Sequence, residues 1–224
     1  MNTLYLTGSS GGFGRTIRSY FLERGWSVAG FDAFDDNFKH ERFLFLKIDS
    51  VSESSIEQAF THAVSGFGEP RTLVATIGGL KPSAPLDEVT IDDFRFMMDI
   101  NVTSLFLCTK YAAKTMRTNQ SGSIITIGAE TALKPEPKRA IYVAAKAAVI
   151  AMTQTLALET KEYGVNTNCI VPTVIHTKAN EEWGTPEDIP KWTEPTDIAS
   201  LCFYLSSDEG KAINGSVIRI PNRM

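Results

Sequence analysis

The sequence predicts an α/β fold: a doubly wound, mostly parallel sheet of seven strands in a single domain. Three observations predict it. Apolar strand-like runs alternate with helical stretches, a glycine-rich turn joins the first strand to the first helix, and the composition is that of a globular protein. The 224 residues, 43% hydrophobic and 21% charged, suffice for one large core. Right-handed crossovers then place a binding crevice at the carboxyl ends of the strands.

Each predicted element follows from local periodicity. Continuous apolar runs predict buried strands at residues 2–7, 27–31, 43–48, 71–77, 122–127, 167–171 and 216–220. Apolar residues at helical spacing predict helices at residues 15–24, 54–65, 91–116, 139–163 and 197–205. A polar, proline-containing segment at residues 176–195 interrupts this alternation and is predicted to be a mobile loop.

Charge and length exclude several classes of partner. A net charge of −4 gives no electrostatic reason to expect nucleic acid or an anionic membrane. No stretch is expected to approach the length of a membrane-spanning helix. The N-terminus enters a strand at once and leaves no room for a signal peptide, so the expected compartment is the cytoplasm.

The cysteines and histidines indicate no metal site. The cysteines are scattered in apolar runs and are expected to be buried as small hydrophobic residues, without disulfides: Cys108, Cys169 and Cys202. The histidines have no partner at metal-ligand spacing: His40, His62 and His176.

The glycine-rich turn TGSSGGFG occupies residues 7–14. Its glycines permit a tight turn and let backbone N–H groups approach a pyrophosphate at the positive end of the following helix. An ordinary strand-to-helix turn is the alternative, but the position between the first strand and the first helix favours a dinucleotide site.

Asp32 follows the second strand and bears on the choice of cofactor. A carboxylate there can accept both ribose hydroxyls and would repel a 2′-phosphate. No lysine or arginine occurs in the glycine-rich turn before Arg15, so NAD(H) is favoured over NADP(H). The alternative is that Asp32 is a solvated residue in an acidic patch with Asp35 and Asp36.

Tyr142 and Lys146 lie four residues apart at the start of a long predicted helix, on one face of it. A tyrosine with its ordinary pKa of about 10 is a poor acid–base catalyst. A neighbouring ammonium and a cationic nicotinamide would lower that pKa. The pair alone also occurs by chance on surface helices, but its position after the fifth strand favours a catalytic role.

Taken together, these features resemble the short-chain dehydrogenase/reductase family over essentially the whole chain. The matching pieces are a TGxxxGxG turn, an acidic residue after the second strand, a further aspartate, an asparagine within DINV, a YxxxK pair and the turn PTVIHT. The resemblance implies a Rossmann-type, NAD(P)-dependent oxidoreductase domain over residues 1–224, with 176–195 as a short substrate lid. The implied catalytic residues are Tyr142, Lys146 and Asn101. The implied cofactor-binding residues are Gly8, Ser10, Gly12, Phe13, Gly14, Asp32, Asp49, Gly78, Tyr142, Lys146, Ile175 and Thr177.

The resemblance also implies particular roles. Hydride would pass between the nicotinamide and a substrate carbon while Tyr142 exchanges a proton with the substrate heteroatom. Lys146 would lower the tyrosine pKa and hold the ribose, and the Asn101 position would hold a water in a proton relay to it. Asp49 would contact the adenine, and the Ile175 backbone and the hydroxyl of Thr177 would contact the nicotinamide end. Taken alone, the asparagine could be a helix-surface amide and the threonine a local turn hydroxyl.

The chain departs from the family pattern at three places. The family's serine thirteen residues before the tyrosine is Ala129, which cannot donate a hydrogen bond. Either the substrate needs less polarisation, or Thr131 or Thr126 substitutes, or the protein is a weak catalyst. The usual asparagine-rich sequence is ATIGG at residues 75–79, which keeps a glycine and loses the amides. The segment after Thr177 is short, and so is the tail, which ends PNRM.

These departures leave alternatives open. The sequence GAETAL before the tyrosine and the short lid resemble the dihydropteridine-reductase branch, whose enzymes lack the serine and reduce a quinonoid ring. The leading hypothesis is therefore an oxidoreductase acting on a small carbonyl, alcohol or quinonoid substrate. The other is a non-catalytic dinucleotide-binding sensor or scaffold.

Two further features carry alternatives. The long helices at 91–116 and 139–163 would form a four-helix interface in a homodimer or homotetramer, unless their apolar faces are buried within the monomer. The short tail favours the smaller assembly. Trp183 and Trp192 could either line a substrate pocket or anchor the lid to the core.

Overall fold

The computed structural model describes residues 2–81 and 83–221. One sheet of seven strands has the order β3-β2-β1-β4-β5-β6-β7. The strands are β1 (Thr3–Thr7), β2 (Ser27–Asp32), β3 (Phe43–Lys47), β4 (Thr72–Ala75), β5 (Gly122–Ile127), β6 (Val165–Pro172) and β7 (Val217–Ile220). The helices are α1 (Gly12–Glu23), α2 (Glu53–Phe67), α3 (Ile91–Met98), α4 (Ser104–Asn119), α5 (Ala140–Thr160), α6 (Lys178–Glu181) and α7 (Pro195–Ser206).

The predicted doubly wound sheet is confirmed, and each pair of neighbouring strands is parallel. The sheet is covered on both faces. On one face, Tyr5 packs against the rings of Phe31 and Phe60. On the other, Phe21 packs against Trp26 and Phe203.

Several predicted boundaries were wrong, for local reasons. The strand predicted at 71–77 ends at Ala75, because the N–H groups of Thr76 and Ile77 turn to the hydroxyl oxygen of Thr7 at 3.0 and 3.3 Å. The helix predicted from residue 15 begins at Gly12, where the Arg15 N–H already bonds to the Gly11 carbonyl. The end of the glycine-rich turn is thus the first turn of α1.

The single helix predicted at 91–116 is interrupted. A π-helical turn, Asp99–Thr103, separates α3 from α4 and contains Asn101. Such turns occur frequently at functional sites. The Nδ2 of Asn101 donates a hydrogen bond of 3.0 Å to the carbonyl of Met97, one turn back.

Helix α5 contradicts the expectation that no stretch approaches membrane-spanning length. With the 3₁₀ turn that follows, Ala140–Tyr163 has 24 residues and a mean hydropathy of 1.5, enough to cross a membrane by length and composition alone. The core helix of a folded domain passes the same test, and this one packs against β6 and carries Tyr142 and Lys146.

Residues 176–195 contain the short helix α6 and a 3₁₀ turn, Ile189–Lys191. Trp192 is buried and Trp183 packs on it, with ring centroids 5.1 Å apart. Trp183 is 56% exposed and this contact lies within the segment, so both roles, lining a substrate pocket and anchoring the lid, stay predictions. Of the short tail, residues 222–224 lie outside the described part of the chain.

The three cysteines are buried and unpaired, as predicted. Burial raises the pKa of the Cys108 thiol to about 12.

Candidate active site

The turn between β1 and α1 is too tight for side chains. Gly8 has a φ of +69°, and a Cβ on it would lie 2.6 Å from the Thr76 hydroxyl oxygen. A Cβ on Gly14 would lie 2.0 Å from the Gly8 carbonyl oxygen. The two glycines allow the chain to fold back on itself and leave an open cradle of backbone at the start of the helix.

Two serine hydroxyls in this cradle lack partners. The Oγ atoms of Ser9 and Ser10 are buried, and neither has a hydrogen-bond partner within residues 2–81 and 83–221. Buried polar atoms are normally paired, so these two indicate a ligand with hydrogen-bonding oxygens. Together with the helix N-terminus, the cradle fits the pyrophosphate of a dinucleotide.

Asp32 lies directly against the cradle. Its Oδ2 accepts a hydrogen bond from the Ser10 N–H at 2.9 Å, and its carbonyl accepts one from the Ile48 N–H at 2.9 Å. The second contact brings the exposed Asp49 to the same edge of the sheet. Both predicted adenosine contacts therefore lie at the carboxyl end of neighbouring strands.

Asp36 is not part of a solvated acidic patch. It accepts two hydrogen bonds of 3.0 Å from the buried guanidinium of Arg18, and Arg15 Nε lies 3.0 Å from it. Burial raises the pKa of Asp36, but the two arginines outweigh it and the pKa is lowered overall. Arg15 and Arg18 thus share one internal carboxylate, which offsets one of their two positive charges.

Lys146 is buried, with 6% of its surface exposed, and its Nζ donates to the Ile127 carbonyl at 3.0 Å. Burial lowers the pKa of this ammonium to about 8. Its Nζ lies 5.9 Å from the centroid of the Tyr142 ring, on the same face of α5.

Burial raises the pKa of Tyr142, and the charge that opposes this is the guanidinium of Arg139. That Lys146, together with a bound nicotinamide, lowers the tyrosine pKa stays a prediction. Arg139 was missed by sequence reasoning, although its position three residues before Tyr142 puts both on one helix face.

Asn101 is buried and fully bonded, so it is not a helix-surface amide. Its Nδ2 donates to the carbonyls of Gly79 and Met97 at 3.0 Å each, and its Oδ1 accepts from the Gly79 N–H at 3.2 Å. A Cβ on Gly78 would lie 2.9 Å from Asn101 Oδ1 and 3.2 Å from Lys146 Nζ. The loop glycine thus lets the asparagine and the lysine approach the same point.

The start of the 176–195 segment reaches the cradle. The Cβ of Thr177 lies 3.6 Å from the place where a Cβ on Gly12 would be. The Thr177 hydroxyl accepts from the Asn180 N–H at 3.3 Å, and the Ile175 carbonyl accepts from the Asn180 side chain at 2.8 Å. These two predicted cofactor contacts therefore lie beside the glycine-rich turn.

Ala129 is buried at the start of a 3₁₀ turn, Glu130–Ala132. Of the two proposed substitutes for the missing serine, the Thr126 hydroxyl is already paired with that of Thr153 at 2.7 Å. The Thr131 hydroxyl is buried and has no partner among the residues described. Thr131 is thus the free hydroxyl of the two.

Comparison with known proteins identifies the family. The profile of the short chain dehydrogenase family matches residues 2–188, and the chain belongs to this family of pyridine-nucleotide-dependent oxidoreductases. The chain is 31% identical to 2,5-dichloro-2,5-cyclohexadiene-1,4-diol dehydrogenase of Sphingobium indicum, over 94% of this chain and 90% of that protein. It is 28% identical to an NADPH-dependent aldehyde reductase-like chloroplastic protein of Arabidopsis thaliana, over 96% and 91%.

The fold matches solved structures of the same kind. The 3-ketoacyl-(acyl-carrier-protein) reductase of Brucella melitensis, in complex with NADH, superposes with a TM-score of 0.90 at 22% identity, covering 98% of this chain and 96% of that one.

Proposed function

We propose that this protein transfers hydride between NAD(H) and a small carbonyl, alcohol or quinonoid substrate. The observation that carries the proposal is the meeting of Tyr142, Lys146 and Asn101 at the carboxyl edge of the sheet. The same edge holds a glycine cradle with two serine hydroxyls that have no hydrogen-bond partner among the described residues.

This chain's residues would hold the cofactor as follows. The cradle and the hydroxyl of Ser10 would hold the pyrophosphate, Asp32 the adenosine ribose, and Lys146 with Tyr142 the nicotinamide ribose. When bound, the nicotinamide supplies or accepts the hydride. Gly78 leaves room beside the lysine for this approach.

Preference for NAD(H) over NADP(H) is supported by charge. Asp32 would face the ribose 2′ position and repel a phosphate there. Asp36 bonds both nearby arginines and offsets one of their two charges, which weakens their attraction to that phosphate. We expect NADPH to bind at least about tenfold more weakly than NADH, as a repulsion of about 1.4 kcal/mol would produce. Titration with the two cofactors measures the ratio, and equal affinities would remove the proposed preference.

Tyr142 is the proposed proton donor. Because its pKa is raised by burial, the phenol is protonated at neutral pH and can donate to a substrate oxygen that gains charge during reduction. The cations of Arg139 and Lys146 stabilise the phenolate that remains. The site is therefore suited to reduction of a carbonyl or quinonoid oxygen.

Ala129 favours a substrate that is easily reduced. Loss of one hydrogen-bond donor to a developing oxyanion costs about 100- to 1000-fold in rate. A quinonoid substrate needs less of this help than a ketone, which supports a place in a serine-lacking branch resembling the dihydropteridine reductases.

The second candidate function is a non-catalytic NAD(H) sensor or scaffold, favoured by the same alanine. A screen of quinonoid, carbonyl and alcohol substrates with NADH or NAD⁺ distinguishes the two. The proposed oxidoreductase consumes cofactor in step with product, fastest with quinonoid compounds. Tight NADH binding with no turnover across the whole screen would favour the sensor.

A further inference from the structure

A small cavity adjoins Tyr142, and the charged residues described in its lining are all basic. Among the described residues, its lining includes Lys81, Lys138 and Arg139 together with Tyr142, and no aspartate or glutamate. The remaining lining is mostly apolar and includes Leu80, Val89, Met97 and Ile141.

We infer that this cavity binds a carboxylate group of the substrate, so that the natural substrates are small organic acids that also carry the reactive carbonyl, alcohol or quinonoid group. The inference rests on the proposed function, since the acid would be held beside the tyrosine that exchanges the proton.

The balance of charge around the cavity leaves one cation free. Lys81 Nζ lies 3.2 Å from Asp93 Oδ1, and Arg139 Nε lies 3.1 Å from Glu136 Oε2. Lys138 has no ion-pair partner within the described ranges. The three cations of the lining are opposed by two carboxylates, which lie outside the cavity. The cavity therefore carries a net positive charge, which an anionic group would neutralise.

The backbone holds Lys138 in an unusual conformation. Its φ is +63°, in the left-handed region that residues other than glycine rarely adopt. Its carbonyl accepts a hydrogen bond from the Ala84 N–H at 3.1 Å, which ties the segment before α5 to the loop after β4. Strained backbone of this kind clusters at ligand-binding sites, and here it fixes the free lysine at the cavity.

The volume and the apolar lining of the cavity suit a carboxylate group. Its volume is about 20 Å³, which has room for one carboxylate oxygen and not for a whole substrate. A carboxylate is planar and compact, and the apolar side chains around it would contact the hydrocarbon next to it. Arg139 lines the cavity and is also the cation that acts on Tyr142.

The test uses two unreactive probes of one shape, cyclohexanecarboxylate and its methyl ester, titrated into the NADH-loaded protein by ligand-observed NMR. We expect the acid to bind more tightly than the ester. Lys138→Gln should lower the affinity for the acid about three- to fivefold, as for the loss of an exposed ion pair, and Lys138→Glu should lower it further. Neither variant should change the affinity for the ester by more than about twofold, since the ester carries no charge.

Lys134→Gln is the matched control, because Lys134 lies four residues away, is exposed and does not line the cavity. It should leave the affinity for the acid unchanged. Equal affinities of the native protein for the acid and the ester would overturn the inference. So would an equal loss of affinity for the acid in the Lys134 and Lys138 variants.

Failure of the inference is distinguishable from failure of the proposed function. NADH-dependent reduction of a neutral quinone that requires Tyr142, with no preference for the acid, would leave the oxidoreductase standing and remove the carboxylate site. The probe titrations need no turnover, so they report on the cavity whatever the activity.

Discussion

Lys146 is the residue whose burial has the clearest measurable consequence. Its pKa falls from 10.5 to about 8 in the folded protein because burial disfavours the ammonium. Between these two values the unfolded chain holds a proton that the folded one has released, so stability rises with pH there. We expect the native protein to gain about 3 kcal/mol relative to Lys146→Met across this interval.

Denaturant titrations of both proteins from pH 8 to pH 10.5 measure that difference. Lys161→Met is the control, since Lys161 is exposed at the end of the same helix. Its difference from the native protein should stay constant with pH. A constant difference for Lys146→Met as well would mean that the lysine is not desolvated as described.

The tight geometry of the cradle predicts a large loss of NADH affinity on substitution of Gly14. Gly14→Ala would bring its Cβ within 2.0 Å of the Gly8 carbonyl, so the turn must shift and NADH affinity should fall at least tenfold. Overpacking of this kind also costs about 1–3 kcal/mol of stability. Gly11→Ala is the control, because its Cβ would make only a 3.5 Å contact with the same carbonyl. Fluorescence titration with NADH compares them, and equal loss in both would contradict the geometry.

For individual residues, the sequence predicted the relations that depend on local spacing. Tyr142 and Lys146 are one helical turn apart, and Gly8 to Gly14 lie in one turn, so their relations could be predicted. The pairing of Asp36 with Arg15 and Arg18 could not, because it depends on how the loop after β2 folds back over α1.

Among the elements, the break between α3 and α4 is what periodicity could not predict. Apolar spacing runs on through residues 91–116, whereas the π-helical turn is stabilised by the hydrogen bonds of a buried amide, Asn101. The helix itself was predicted correctly on either side.

The 176–195 segment is held at both ends by His176. Its Nδ1 lies 2.9 Å from Glu194 Oε1 and its Nε2 lies 2.7 Å from Glu181 Oε1. Hydrogen bonds and charge from Glu194 and then Glu181 raise the pKa of the imidazole above its ordinary value of 6.5. The stabilisation is therefore complete below that value and is lost as the pH rises through the raised pKa.

We expect tryptic cleavage after Lys178 and Lys191 to be faster in His176→Gln than in the native protein at low pH, and the difference to vanish at high pH. Comparing the two proteins at each pH cancels the pH dependence of the protease. His62→Gln, on α2, is the control and should match the native protein throughout. A His176→Gln difference that does not depend on pH would show that charge plays no part.

For the whole molecule, the outer face of α4 and α5 bears on assembly. A groove of about 790 Å³ runs along these helices, and Phe106 in it is 47% exposed. The expected homodimer or homotetramer would cover this face. Phe106→Glu should then shift the mass measured by light scattering toward the monomer, whereas Phe34→Glu, at an exposed position near Asp32, should not. A native protein that is monomeric would contradict the expectation.

The doubly wound parallel sheet was predictable as a whole. Alternation of apolar strands with helices permits few right-handed topologies, and each places the site at the carboxyl ends of the strands. The function of α5 was harder to predict from composition, since its 24-residue apolar stretch also suits a membrane and only its packing against β6 distinguishes the two uses.

Tyr142 carries the central claim, and one comparison tests it directly. Tyr142→Phe removes the phenol oxygen and keeps the ring, so NADH should bind within about twofold of the native affinity while turnover of a quinonoid substrate falls at least about 100-fold. Undiminished turnover by the phenylalanine variant would contradict the account.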